Sequence, residues 1–195
     1  MKKQIGEKAF ALFSKHGFKK TTMDDLALAL GISKKTIYQH FTSKEQVIDS
    51  CVKELNQSVL EELSQQKAQQ GTCVKEVLEI AQQLERIIQF SFLPYAEEYS
   101  AFYKKVEHKQ QGFLVKKISP YLKNNFKKGV KQGYYKSDLE VDFALWTFFT
   151  LITSPFLSIF DCISLKESSI TLFLNTILTD KGQQEFEVLR TTYFV

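Results

Sequence analysis

The sequence predicts an all-α protein, and three observations support this. The 195 residues include only three prolines and eight glycines, fewer than the many turns of an all-β fold require. Hydrophobic residues make up 44% and charged residues 25%, which is typical of a folded chain with a sizeable core. Apolar residues recur every three or four positions along most of the chain, which is the period of one helix face.

The start of the chain predicts two short helices. Residues 5–16 carry an apolar stripe and are followed by Gly17, a residue type that commonly ends helices. Thr22 then begins a second helix, because Asp25 three residues later completes a capping-box pattern. Gly31 ends this second helix.

A third helix is predicted over residues 34–41, with Ser33 as its N-cap. Ile37 and Phe41 are four residues apart, so they lie on the same side of the helix and anchor it. The turn that joins the second and third helices is only three or four residues long and is centred on Gly31. A glycine there can adopt the left-handed conformation that a helix-turn-helix needs.

The positive charge of the protein is concentrated at the front of the chain. Residues 1–50 hold nine lysines and five acids, and residues 51–195 hold 17 basic and 17 acidic side chains. The whole net charge of +4 therefore lies in the first quarter. Such asymmetry indicates binding to nucleic acid or to a negative membrane surface.

This front segment resembles the DNA-binding domain of the TetR (tetracycline-repressor-like) family of bacterial transcriptional regulators. The resemblance covers roughly residues 5–50, and beyond them it is one of length and helical layout only. Its most specific pieces are Gly17-Phe18, Thr21-Thr22, Leu26-Ala27, Gly31-Ile32-Ser33, Ile37-Tyr38, His40-Phe41 and Lys44-Glu45.

The resemblance implies that the third helix is a recognition helix in the DNA major groove. Its two lysines would contact phosphate or guanine, its threonine a base or a thymine methyl, and its glutamine an adenine. Four further residues match positions that contact phosphates in the family: Thr22, Tyr38, His40 and Lys44. The implied DNA-binding residues are Thr22, Ser33, Lys34, Lys35, Thr36, Tyr38, Gln39, His40 and Lys44.

Two features depart from a simple transfer of the family's base contacts. Lys35 stands where many members carry a small residue, and the first 85 residues contain no arginine. Bidentate reading of guanine must then come from lysine or be absent. Our hypothesis is an A·T-rich operator that is read partly through DNA shape and thymine methyl groups.

The rest of the chain predicts a second all-helical region. We expect a helix-turn-helix DNA-binding domain over residues 1–48 and a helical effector-binding and dimerisation domain over residues 49–195. Helices in the second region are expected at 44–69, 73–92, 95–109, 113–131, 139–160 and 170–178.

Residues 143–160 form a stretch of eighteen residues without a charge, which reaches the length of a candidate membrane span. Five serines and threonines, Pro155 and the flanking Asp142 and Asp161 argue against a span. A helix that is apolar all round is otherwise buried on every side. With the segment at 170–178, the resemblance implies a four-helix interface in a homodimer.

Aromatic residues crowd the second region and could line a cavity for a hydrophobic or aromatic effector. The alternative is that they belong to the core or to an interface. The candidate ligand-binding residues are Phe90, Tyr95, Tyr99, Phe102, Tyr103, Phe113, Trp146 and Phe149.

The remaining motifs do not indicate an enzyme. The sequence has no HExxH, GxGxxG, P-loop or GxSxG pattern, its three histidines are scattered, and no metal or cofactor is expected. Three widely spaced cysteines and the start MKKQIGEKAF predict a reduced, cytoplasmic protein. We expect a homodimeric repressor that a small effector releases from a palindromic operator. A membrane-surface helical protein and a ligand-independent DNA-binding protein are the alternatives.

Overall fold

The computed structural model describes residues 1–68, 71–91, 101–153 and 163–193. These residues confirm the all-α class, since their only β feature is an isolated bridge between Tyr135 and Leu178. Ten α-helices and one π-helical turn, Leu114–Ile118, are described. The α-helices are α1 (Lys2–His16), α2 (Met23–Leu30), α3 (Lys34–Tyr38), α4 (Lys44–Ala68), α5 (Cys73–Ser91), α6 (Ala101–Phe113), α7 (Ser119–Lys131), α8 (Val141–Thr153), α9 (Ile163–Ile177) and α10 (Asp180–Tyr193).

The described chain divides into two compact units. The first unit comprises residues 1–59 and 87–111, and the second comprises residues 60–86 and 112–195. The unit boundaries fall inside α4, α5 and α6, so each of these helices contributes to both units. The predicted two-domain boundary between residues 48 and 49 stays a prediction.

Aromatic rings form much of the core of the first unit. Phe18 packs edge-on against Phe13 at a centroid distance of 5.1 Å and against Phe90 at 5.4 Å. Phe10 stacks on Phe90 at 4.4 Å. Because aromatic side chains bury large areas, this cluster fixes α1 against the end of α5.

A buried polar network holds the second unit together. The Asn125 amide donates to the carbonyl of Cys73 at 2.8 Å, which joins α7 to the start of α5. The Tyr135 hydroxyl lies 2.8 Å from Asn125 Oδ1 and 2.9 Å from the Cys73 carbonyl. Burial raises the pKa of Tyr135 well above its usual value, so this hydroxyl stays protonated and donates. Gly129 is needed beside the Tyr135 ring, because any Cβ at this position would overlap the ring.

Two predicted helices are shorter or interrupted in the structure. The predicted helix 34–41 ends at Tyr38, because the amides of His40 and Phe41 both bond back to the Ile37 carbonyl and close a tight turn. The predicted helix 113–131 is interrupted by the π-helical turn, which directly precedes Ser119-Pro120. Proline lacks the N–H that a regular helix would use at this point.

The last helix, α10, was not predicted. Only Gly182 and Phe186 are buried along it, so its sequence has little apolar periodicity. Thr179 begins the helix, since its hydroxyl accepts a hydrogen bond from the Gly182 amide at 3.2 Å. The capping residue was therefore a stronger signal than the apolar pattern.

The apolar stretch at 143–160 lies partly outside the described residues. Its described part belongs to α8, which extends to Thr153. In the part of the chain that the structure describes, every helix is too short or too polar to span a bilayer.

Two glycines with open surroundings give a test of the predicted turn. Gly31 has φ 65° and ψ 30°, whereas Gly112 lies within α6, and a Cβ at either position would meet nothing within 4 Å. Gly31→Ala should lower the free energy of unfolding by about 1 kcal/mol, because the left-handed conformation is strained for alanine. Gly112→Ala should raise it by about 0.5–1 kcal/mol, because alanine favours a helix.

Chemical denaturation of the two variants and the wild type measures both changes. If both substitutions changed the free energy of unfolding equally and in the same direction, the turn would not require a left-handed glycine at position 31.

Candidate nucleic-acid interface

The start of α2 is fixed by the predicted capping box. The Asp25 amide donates to Thr22 Oγ1 at 3.1 Å, and the Thr22 amide donates to Asp25 Oδ2 at 2.8 Å. Hydrogen bonds from the Thr22 backbone and side chain lower the pKa of Asp25, so it remains ionised. The box places Thr22 at the exposed N-terminus of α2, where backbone amides favour an anion.

The turn into α3 has the geometry that the sequence predicts. Gly31 is left-handed, and its amide together with that of Ile32 bonds to the last carbonyls of α2. Ser33 caps α3 by accepting a hydrogen bond from the Thr36 amide at 3.0 Å. Below the helix, Ile37 is fully buried and Phe41 is 1% exposed, which confirms both anchors.

The opposite face of α3 is open to solvent. Lys34, Lys35 and Gln39 are exposed, and the Tyr38 side chain is 44% exposed despite its large apolar ring. Thr36 and His40 are half-buried at the edges of this surface. We call this set the α3 face, and its charged members are all cations.

Lys34 on this face forms an ion pair with a residue of α2. Its Nζ lies 2.8 Å from Asp24 Oδ2, so the side chain bridges α3 to the first turn of α2. The hydrogen bond to Asp24 raises the pKa of Lys34. Sequence reasoning missed Asp24 as a partner, because the two residues are ten apart and no local pattern links them. Lys35 is thus the lysine of α3 without a carboxylate partner among the described residues.

Lys44 is the first residue of α4 and follows His40, the last residue of the α3 face, by four positions. Ser43 caps α4, since the Gln46 amide donates to Ser43 Oγ at 3.3 Å. Gln46 in turn accepts from the Thr42 amide at 2.6 Å. Lys44 is half-buried at the first position of the helix.

The described members of the candidate effector set fall in both units. Phe90 lies in the core of the first unit, as the alternative interpretation expected, while Phe113, Trp146 and Phe149 belong to the second unit. Trp146 is 62% exposed, and Phe113 and Phe149 are half-buried. Tyr95 and Tyr99 lie outside the described residues, and the side chains of Phe102 and Tyr103 are not described.

The second unit contains a cavity of about 260 Å³, and the four candidate aromatic residues whose side chains are described do not line it. We call it the body cavity. Its walls are Leu63, Glu76, Glu79, Ile80, Pro120, Tyr121, Asn124 and Asn125. Three helices, α4, α5 and α7, supply all of these residues. Periodicity marked most of them as helical but could not show which of them enclose a cavity.

Two short helices, a left-handed glycine turn and a cationic face opposite two buried anchors define a helix-turn-helix domain of the DNA-binding class. The family described as bacterial regulatory proteins, tetR family, matches residues 5–51. The N-terminal helices of this chain therefore match the tetR family, and the resemblance stated from the sequence is confirmed.

A curated relative supports the same assignment. The chain is 42% identical over 53 residues to IcaR of Staphylococcus aureus, the HTH-type negative transcriptional regulator of the biofilm operon icaADBC. The match covers 27% of this chain and 28% of IcaR, so it is confined to the N-terminal helices.

Solved structures extend the similarity in fold to nearly the whole chain. The transcriptional regulator FadR from Bacillus subtilis, in complex with stearoyl-CoA, gives a TM-score of 0.64 at 17% identity, over 93% of this chain and 99% of FadR. A regulator from Saccharomonospora viridis, in complex with choline, gives 0.70 at 13% identity, over 91% and 97% of the two chains. At these identities the similarity establishes the fold.

Proposed function

We propose that this protein is a transcriptional regulator that binds an operator as a homodimer and is released by a small-molecule effector. The observation that carries the proposal is the α3 face, where exposed lysines and a tyrosine lie opposite the buried Ile37 and Phe41. Repression is the proposed polarity, because IcaR is a negative regulator.

The α3 face has the dimensions and chemistry for the major groove. The groove of B-DNA admits one helix, and the N-terminal residues of a recognition helix lie nearest the base edges. Lys35 and Gln39 would read bases, and Thr36 would contact a base or thymine methyl. Tyr38 and His40 would contact phosphates.

Contacts outside α3 would orient the helix in the groove. Thr22 at the start of α2 and Lys44 at the start of α4 would each hold a phosphate, and Ser33 would contribute beside its capping role. Lys34 would exchange its Asp24 partner for a phosphate when DNA binds.

The last part of the chain offers a surface for a second copy. Phe143 and Trp146 on α8 are each 62% exposed, and Leu172 on α9 is 59% exposed. Within the described residues, the buried hydroxyls of Thr147 and Thr171, on the same two helices, have no hydrogen-bond partner. Exposed aromatic side chains of this size are typical of interfaces, and a two-fold interface would pair α8 and α9 with their copies.

An effector in the second region would then oppose DNA binding. Two regulators of similar fold were solved with small molecules, one with stearoyl-CoA and one with choline. If the effector favours a dimer whose α3 helices do not fit the groove, the two ligands weaken each other by a coupling free energy of about 1–3 kcal/mol.

A binding selection from random double-stranded DNA tests the proposal. We expect a pseudo-palindrome with half-sites about 10 base pairs apart, centre to centre, because a two-fold dimer presents two recognition helices on one side of the duplex. An A·T-rich consensus would support reading through shape and thymine methyls, and a G·C-rich one would reject that hypothesis. Failure to enrich any sequence at low salt would reject operator binding.

Two lysine variants distinguish a specific phosphate contact from a general effect of positive charge on DNA binding. Lys44→Ala should weaken binding to all DNA sequences and reduce the slope of log affinity against log salt by about one. Lys53→Ala removes the same charge from an exposed position about 13 Å further along α4 and should change neither quantity. Fluorescence anisotropy at several salt concentrations measures the slopes. Equal slopes for the two variants would remove Lys44 from the DNA contacts.

The interface is tested by placing a charge on it. Trp146→Glu should convert the dimer to a monomer and weaken operator binding, because a carboxylate is costly to bury in an apolar interface. Val188→Glu is the matched control, since Val188 is 73% exposed on α10, and it should remain dimeric. Sedimentation velocity distinguishes the species. A Trp146→Glu variant that sediments as a dimer would place the interface elsewhere.

A further inference from the structure

The body cavity is large enough to hold a small organic molecule. Its volume of about 260 Å³ exceeds that of the engineered protein cavity of about 150 Å³ that binds benzene. Its wall is a mixture of apolar and polar groups, with Leu63, Ile80 and Pro120 supplying the apolar part. Asn124 is exposed, so the wall reaches solvent at this residue.

The two carboxylates of the wall differ in how they are paired. Both oxygens of Glu76 have partners, because Lys128 binds Oε1 and the Asn125 amide donates to Oε2 at 3.1 Å. Glu79 has partners at one oxygen only. Its Oε1 accepts from the Tyr193 hydroxyl at 3.3 Å and lies 3.7 Å from Lys75 Nζ.

Glu79 therefore has a free acceptor. Its Oε2 has no partner within the described ranges, although the side chain is only 15% exposed. This oxygen keeps access to solvent, and a ligand donor can take the place of water as its hydrogen-bond partner. Burial and the charge of Glu79 raise the pKa of Tyr193 to about 12, so the tyrosine stays a donor.

The wall is unsuited to an anion. Among the described residues that line the cavity there is no lysine, arginine or histidine, and Lys128 and Lys75 nearby are paired with Glu76 and Glu79. Tyr121 adds an aromatic ring, and an aromatic ring attracts a cation across its face. A carboxylate, phosphate or CoA ester would place negative charge beside two carboxylates.

We propose that the body cavity binds a small organic cation, an ammonium group on a compact apolar body, with Glu79 as its counter-ion. The ammonium donates to Glu79 Oε2 and the apolar part packs on Leu63, Ile80 and Pro120. The binding of the cation can be measured without DNA. Only its consequence, the release of DNA, rests on the proposed function.

Lys75 competes with the ligand for Glu79. Because its Nζ lies 3.7 Å from Oε1, the lysine attracts the same carboxylate from its 39% exposed position. Removal of this charge by Lys75→Gln should therefore tighten the binding of a cation and leave a neutral ligand unaffected.

The test compares two probes of nearly equal size, 2-phenylethylamine, which is protonated at pH 7, and 2-phenylethanol. Isothermal titration calorimetry of the full chain should give a Kd for the amine about 10-fold or more below that of the alcohol, as expected for a hydrogen bond to a charged group. Glu79→Gln should bring the ratio close to one. Glu187→Gln, which removes an exposed carboxylate outside the cavity, should preserve the ratio.

Equal affinity for amine and alcohol, no binding of either probe, or an unchanged preference in Glu79→Gln would overturn the inference. If Glu79→Gln does not fold, the wild-type ratio and the Lys75→Gln variant decide. Operator binding is measured in parallel with the amine present. Amine binding without operator release would support the cation site and contradict the effector step of the proposed function.

Discussion

The burial of Ile37 and Phe41 is the interaction on which the interface depends. A helix of five residues is far too short to be stable alone in water, so α3 exists because its tertiary contacts hold it. Each large apolar side chain contributes about 1.5–3 kcal/mol when it is buried. With these anchors in place, Lys35 and Tyr38 are held rigidly outward instead of collapsing onto the surface.

The polar groups around α3 set its direction more than its stability. Ser33 caps the helix, and the exposed ion pair of Lys34 and Asp24 contributes little free energy but ties α3 to α2. Such a pair also restricts the positions that the Lys34 ammonium can take. Asp24 lowers the positive charge at this end of the α3 face, and an acid there weakens general attraction to phosphates.

The second unit depends on a different kind of constraint. Asn125 is 1% exposed and belongs both to the hydrogen-bond network with Cys73 and Tyr135 and to the wall of the body cavity. A fully satisfied buried network specifies one arrangement of its helices. The cavity therefore lies on elements that are fixed before a ligand arrives. Burial also raises the pKa of the Cys73 thiol to about 11, so this cysteine remains protonated at neutral pH.

Local signals predicted the first unit well because its chemistry is local. The Thr22 box, the Ser33 cap and the Gly31 turn each involve residues three or four apart, and all three were predicted from their spacing. The ion pair of Lys34 with Asp24 is longer in range and could not be predicted in this way. The body cavity depends on how α4, α5 and α7 meet, which the periodicity of the sequence does not define. The aromatic effector residues stay a prediction.

The proposed function requires the exposed face of α3 to enter the major groove at two half-sites. Methylation protection on the selected operator, with a G·C pair introduced into each half-site where none is present, tests this placement, because dimethyl sulfate attacks guanine N7 in the major groove and adenine N3 in the minor groove. We expect protection of the guanine N7 atoms in the two half-sites, one helical turn apart, with adenine N3 between them left reactive. Protection confined to adenine N3, or guanine N7 that stays reactive inside a bound half-site, would contradict the placement of α3 in the major groove.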